Sequence, residues 1–169
     1  MMLLRHLLAI TVLPFVVAVM VPLWLARRND AQLAPGLTAL QLLGQLGGLG
    51  LMLIGLVLFA SSLRRFADDG QGTLAPWDPP RQLVVTGPYR YVRNPMISGV
   101  LFVLFGEALI LLSRQHLSWA LIFLLVNAVY IPLLEEPQLR RRFGASYDEY
   151  CDNVPRLVPR LRPWMSRQA

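Results

Sequence analysis

The chain has 169 residues, 55% of them hydrophobic, one cysteine, and a formal charge of +6 whose sixteen basic residues are all arginine. That apolar content is too high for an ordinary soluble domain and the length too short for more than one membrane unit, while a single cysteine excludes an intrachain disulfide and a thiolate metal site. The arginines sit beside apolar runs, as juxtamembrane anchors do, which argues against a nucleic-acid partner and for an all-α, polytopic membrane bundle. His6 and His116 are far apart in the sequence, so no histidine metal site is expected.

Residues 7–26 carry no charge, and twenty residues at about 1.5 Å each cross a hydrocarbon core of roughly 30 Å. They predict a first transmembrane helix and not a cleaved signal peptide, because Trp24-Leu25-Ala26 runs into Arg27-Arg28 without a small-x-small cleavage site. Pro14 and Pro22 predict kinks, which neighbouring helices tolerate in a membrane. A polar loop ending in Pro35-Gly36 leads to residues 37–63, an uncharged second span. Its glycines, from Gly44 to Gly50, have the look of a nucleotide loop, but they lie inside an apolar helical pattern with no strand before them. Gly44 and Gly48 are read as a GxxxG face for helix packing or for a dimer.

Residues 66–86 read as a surface loop rich in Asp, Gly and Pro, set against lipid head groups by Trp77; its Asp68, Asp69 and Asp78 suit turns and solvation better than a metal. Residues 96–113 predict a third span interrupted by Glu107. An intramembrane carboxylate costs about 2.5–3.5 kcal/mol on insertion scales, so Glu107 either faces a partner or wet cavity or sits near the far interface. Arg114-Gln115-His116 is read as the tight turn of an antiparallel hairpin into residues 117–134, the fourth span, which carries Asn127 and Tyr130. That topology returns Glu135-Glu136, bracketed by Pro132 and Pro137, to the face that holds Arg90 and Arg93.

Beyond Pro137, Leu139, Phe143, Tyr147 and Tyr150 recur at helical spacing and predict an amphipathic helix lying on the membrane, bent at Gly144, followed by an extended basic tail. Cys151 is read as an unremarkable thiol on the surface of that helix. With the N-terminus inside, only Arg27, Arg28 and Arg114 fall outside and the other thirteen arginines inside, so the positive-inside rule puts both charged clusters in the cytoplasm. Arginine without lysine is the usage of a GC-rich genome and suggests a bacterial inner membrane.

The polar centre of this pattern is Gly87-Pro88-Tyr89-Arg90-Tyr91-Val92-Arg93-Asn94-Pro95-Met96-Ile97-Ser98-Gly99, whose prolines break the helix and fix where side chains point. Two readings stand. Arginines offer forked donors to a carboxylate or phosphate, carboxylates attract an ammonium, and tyrosine faces attract a cation; together they suit a zwitterionic ligand with an additional positive centre. Alternatively, the arginines meet lipid phosphates and the glutamates pair with those arginines.

The corner from Gly87 to Pro95, followed by Glu135-Glu136, Phe143-Gly144, Tyr147, Tyr150 and Val154-Pro155-Arg156, closely resembles the isoprenylcysteine carboxyl methyltransferase family and related phospholipid methyltransferases. The resemblance covers about residues 80–160. It implies an integral membrane enzyme that uses S-adenosyl-L-methionine without a Rossmann domain and methylates a lipophilic acceptor, at a carboxyl or, less readily, an amine or hydroxyl. It implies a cofactor site of Tyr89, Arg90, Tyr91, Arg93, Asn94, Pro95, Gly99, Glu135 and Glu136, with Glu136, Arg140 and Arg156 near the reacting groups. The glutamates would hold the cofactor's ammonium, Arg90 or Arg93 a carboxylate, and Arg140 and Arg156 an anionic acceptor. The chain departs from the family at Asn94, where a histidine is usual, and at Ile97, where an aromatic is usual. A nicotinamide-dependent membrane reductase and a non-catalytic lipid-binding or scaffold protein are the alternatives.

Overall fold

The computed structural model describes residues 14–28, 38–69 and 83–165, which are mainly helical and contain no strand. Two helical stretches, Ala39–Arg65 and Arg114–Phe143, are long and apolar enough to cross a membrane, and Pro95–Ile110 is a shorter apolar helix. The chain divides into two compact units, one containing the residues up to Val57 with Gly99–Leu124, the other Leu58–Ser98 with Leu125 onward.

In the first unit, a π-helical turn, Val16–Met20, runs into α1 (Val21–Arg28); residues 7–13 of the expected first span lie outside the described residues. The π register follows from Pro22. Val21 N–H bonds to the Val16 carbonyl, so the next carbonyl, that of Val17, would look to Pro22, which has no N–H. The Trp119 indole N–H fills that gap at 2.9 Å. His116, buried, lies 3.1 Å through Nε2 from the Pro22 carbonyl and 2.8 Å through Nδ1 from the Ser113 hydroxyl. A carbonyl only accepts, so Nε2 is the donor to Pro22.

The long helix α2 (Ala39–Asp69) starts at a capping box in which Thr38 Oγ1 accepts from Gln41 N–H at 3.3 Å and Gln41 Oε1 accepts from Thr38 N–H at 2.9 Å. It meets α3 (Pro95–Ile110) in this unit through glycines. A Cβ on Gly48 would lie 2.7 Å from the Gly106 carbonyl oxygen, and one on Gly55 2.5 Å from that of Gly99. A Cβ on Gly44 would meet only Leu112, at 3.8 Å. The close face is therefore Gly48 with Gly55, matched by Gly106 with Gly99, and the expected Gly44–Gly48 face is corrected.

The third span ends at Ile110, short of the expected residue 113, because Leu112 takes a left-handed conformation at φ 48°. Ser113 then caps α4 (Arg114–Tyr130), its hydroxyl accepting from His116 N–H at 3.4 Å. Arg114-Gln115-His116 is thus the first turn of a helix and not the loop; the loop is 111–113. Glu107 lines a cavity of about 170 Å³ with Pro22, Leu111 and His116, and its Oε2 is buried without a hydrogen-bond partner among the described residues.

In the second unit the end of α4 passes through a π turn, Ile131–Glu135, into α5 (Glu136–Phe143), and Gly144 at φ 55° separates α5 from α6 (Ala145–Asn153). The face carrying Leu139, Phe143, Tyr147 and Tyr150, expected to lie on the membrane, packs against the chain itself. Tyr147 and Tyr150 are buried with Val154, against Leu83, Val85, Cys151 and Trp164, because the C-terminal segment folds back over them. Of the expected loop over 66–86, residues 66–69 instead continue α2, and 70–82, with Trp77 and Asp78, lie outside the described residues.

Candidate functional site

The site lies wholly within the second unit and begins with backbone. Gly87, at φ 52°, opens a 3₁₀ turn, Gly87–Arg90, and Pro95 starts α3, so the four residues between them do not continue a helix and present peptide groups outward. The proline-spaced segment after α6 takes them up. Arg93 N–H donates to the Pro155 carbonyl at 2.8 Å and Asn94 N–H to that of Arg156 at 3.2 Å, while the Tyr91 and Arg90 carbonyls accept from Arg160 at 3.0 Å and Trp164 at 2.9 Å. The Ser98 hydroxyl donates to the Leu157 carbonyl at 2.7 Å, and the Tyr150 hydroxyl to that of Tyr89 at 2.6 Å.

Burial pushes the phenols of Tyr89, Tyr147 and Tyr150 well above their ordinary range, so Tyr150 remains a neutral donor at any physiological pH. Tyr150→Phe leaves the buried Tyr89 carbonyl without that donor and is expected to cost about 1–3 kcal/mol, read as a lowered midpoint of thermal unfolding in detergent.

On this frame stands a charge cluster built around Glu136, which is buried. Its Oε1 is 3.0 Å from Arg93 Nη1 and 2.7 Å from Arg156 Nε, and its Oε2 is 3.1 Å from Arg156 Nη2, so Arg156 grips the carboxylate with two parallel donors. Hydrogen bonding to Glu136 holds the Arg156 guanidinium above its ordinary range, keeping it charged. Arg93 Nη1 also reaches Cys151 Sγ at 2.7 Å. Cys151 is therefore half-buried in the cluster and not a plain surface thiol.

Two groups are left over. Arg93 Nε is buried and has no hydrogen-bond partner among the described residues. The half-buried carboxylate of Glu135 makes no ion pair there either. A free carboxylate and a free guanidinium N–H, one residue and one shared ion pair apart, match the ammonium and the carboxylate of an amino-acid-like zwitterion. The pairing reading thus describes Glu136 and does not extend to Glu135.

The other expected site residues are spread more widely. Arg90 Nε donates to the Trp164 carbonyl at 2.8 Å, and Asn94 Nδ2 to that of Arg156 at 3.4 Å, so both side chains hold the tail. Tyr91 contributes its carbonyl to the same tail, and Pro95 is buried as the first residue of α3. Arg140 pairs with Asp148 at 3.1 Å where both side chains are about half exposed, which separates it from the cluster's hydrogen bonds. Gly99 belongs to the first unit, where its carbonyl faces Gly55; helix packing accounts for it. Cys151, Ser98 and Trp164 are contributors that sequence spacing does not single out, since two of them act through backbone partners.

The family model of phospholipid methyltransferases matches residues 43–146. Methanethiol S-methyltransferase 2 of Bradyrhizobium diazoefficiens is similar, at 38% identity over 76 residues, which is 43% of this chain and 27% of that protein. The matched stretch thus spans little more than a quarter of that relative's length. No solved structure matches the chain.

Proposed function

The chain belongs to the phospholipid methyltransferase family, and on that premise we propose that it transfers a methyl group from S-adenosyl-L-methionine to a lipophilic acceptor at the cytoplasmic face of a bacterial inner membrane. The observation that carries this reading is the pairing pattern of the cluster: Glu136 is consumed by two arginines, while Glu135 makes no ion pair and the buried Arg93 Nε has no hydrogen-bond partner among the described residues. These residues fit the zwitterionic end of the methyl donor. Glu135 would accept from its ammonium, Arg93 would donate to its carboxylate, and Tyr89, buried beside Glu135, would wall the pocket.

When bound, S-adenosyl-L-methionine supplies an electrophilic methyl on a sulfonium. Such a displacement is in line, so the protein's work is to align the acceptor and keep water away. Glu136 performs the first part indirectly, holding Arg93 and Arg156 on one carboxylate. Arg156, whose side chain is 35% exposed and whose Nη1 is uncommitted among the described residues, orients an anionic acceptor. A carboxylate acceptor needs no base. A thiol or amine must lose a proton, and the similarity to a protein named for methanethiol favours a small thiol as the second reading.

The test is calorimetry of S-adenosyl-L-methionine on the purified full chain in detergent. Binding is expected to weaken about tenfold or more in Glu135→Gln, as loss of a charge-assisted contact of 1.5–3 kcal/mol requires, and to be unchanged in Arg141→Ala. No binding to the wild type, or equal binding to Glu135→Gln, sinks the site. Mass spectrometry of lipid extracts then looks for a product one methylene heavier, and headspace analysis with methanethiol looks for dimethyl sulfide; the positive arm identifies the acceptor class.

A further inference from the structure

The segment after Val154 exposes apolar side chains in a way that packing within the chain does not explain. Leu161 is 99% exposed, Val158 75% and Met165 73%. In a floppy tail this would carry no meaning, but here the backbone between them is fixed: Leu157, Arg160 and Trp164 are each tied to the 90–98 corner by hydrogen bonds of 2.7–3.0 Å. Trp164, between Leu161 and Met165 in sequence, turns inward onto Tyr150 at a ring separation of 5.8 Å. The three apolar side chains are therefore held outward on a rigid strap. Arginines are interleaved with them. Arg160 reaches back to the Asn153 carbonyl through Nη1, and Arg162 is exposed with no partner among the described residues.

We infer that residues 158–165 form a docking strap for an anionic phospholipid surface, with Val158, Leu161 and Met165 inserted among the acyl chains and Arg162 on the head-group phosphates. Alternation of exposed apolar groups with arginine suits that interface and no other solvent. Water leaves the apolar area unburied, a zwitterionic surface lacks the counter-charge, and a lipid interface satisfies both together. The inference stands on exposure and backbone geometry and does not depend on the methyl-transfer reading.

The experiment places a benzophenone amino acid at Leu161, or at the exposed Asp152 as a control, in the full chain reconstituted in nanodiscs. Irradiated samples are digested and lipid adducts counted by mass spectrometry. In phosphatidylglycerol discs the adduct yield is expected to be several-fold higher at Leu161 than at Asp152. It should fall about fivefold in Arg162→Gln, the ratio that roughly 1 kcal/mol per surface arginine corresponds to, and fall likewise when phosphatidylcholine replaces phosphatidylglycerol. Equal yields at the two positions, equal yields in the two lipids, or cross-links between protein copies in place of lipid adducts would each overturn the proposal.

Discussion

Glu136→Ala is expected to destabilise the protein by about 3–5 kcal/mol, a large share of the roughly 5–15 kcal/mol that holds a domain folded. The carboxylate is 4% exposed and is the shared counter-ion of Arg93, 11% exposed, and Arg156, 35% exposed. Removing it leaves Arg93 with a buried positive charge and only Cys151 within reach of Nη1. Arg156 can turn to water and contributes less. The cost is therefore that of an uncompensated Arg93, and it should be largely relieved in Glu136→Ala/Arg93→Met, where an apolar pair replaces the ionic one. Unfolding in detergent of the two single variants and the double gives the coupling energy directly. If the double variant is as unstable as the sum of the singles, the cluster is not the linked unit described here. Glu136→Gln retains an acceptor for each arginine and should be milder, separating lost charge from lost hydrogen bonds.

The meeting of Arg93 with Glu136 is the part of the site most legible in the sequence, and the reason is mechanical. A helix is a rigid rod, a three-residue turn can only return the chain antiparallel, and charges that end two apolar runs on the same side have nowhere else to go. What covers those charges is less legible. The spacing of Leu139, Phe143, Tyr147 and Tyr150 shows an apolar face, but periodicity cannot say whether lipid or protein lies against it, and here the answer is Val154 and Trp164. Prolines 155, 159 and 163 announce an extended segment without naming its partner, because backbone hydrogen bonds leave no mark on side-chain type. Asn94 illustrates the same limit. Where the resemblance has a histidine, this chain has an amide that bonds the Arg156 carbonyl, a tail-holding role visible only once the tail is placed.

Gly48→Val is expected to be strongly damaging to the first unit, and Gly106→Val its counterpart. The two carbonyls face the opposing glycines so closely that a single added carbon would lie 2.7 Å from the Gly106 oxygen or 2.6 Å from that of Gly48. Overpacking against movable side chains costs about 1–3 kcal/mol. Here the obstacle is main chain, which cannot rotate away, so the helices must separate and the cost lies at or above the top of that range. Even Gly48→Ala should lower the unfolding midpoint. Gly47→Ala and Gly50→Ala are the controls: nothing lies within 4 Å of a Cβ at either position, and alanine is the better helix former by about 1 kcal/mol. They should leave the midpoint unchanged or raise it. Equal behaviour of Gly47→Ala and Gly48→Ala would mean that the glycines serve flexibility and not approach. The opposite signs expected here follow from geometry alone, since adjacent residues of one helix share composition, membrane depth and backbone conformation and differ only in what stands across from them.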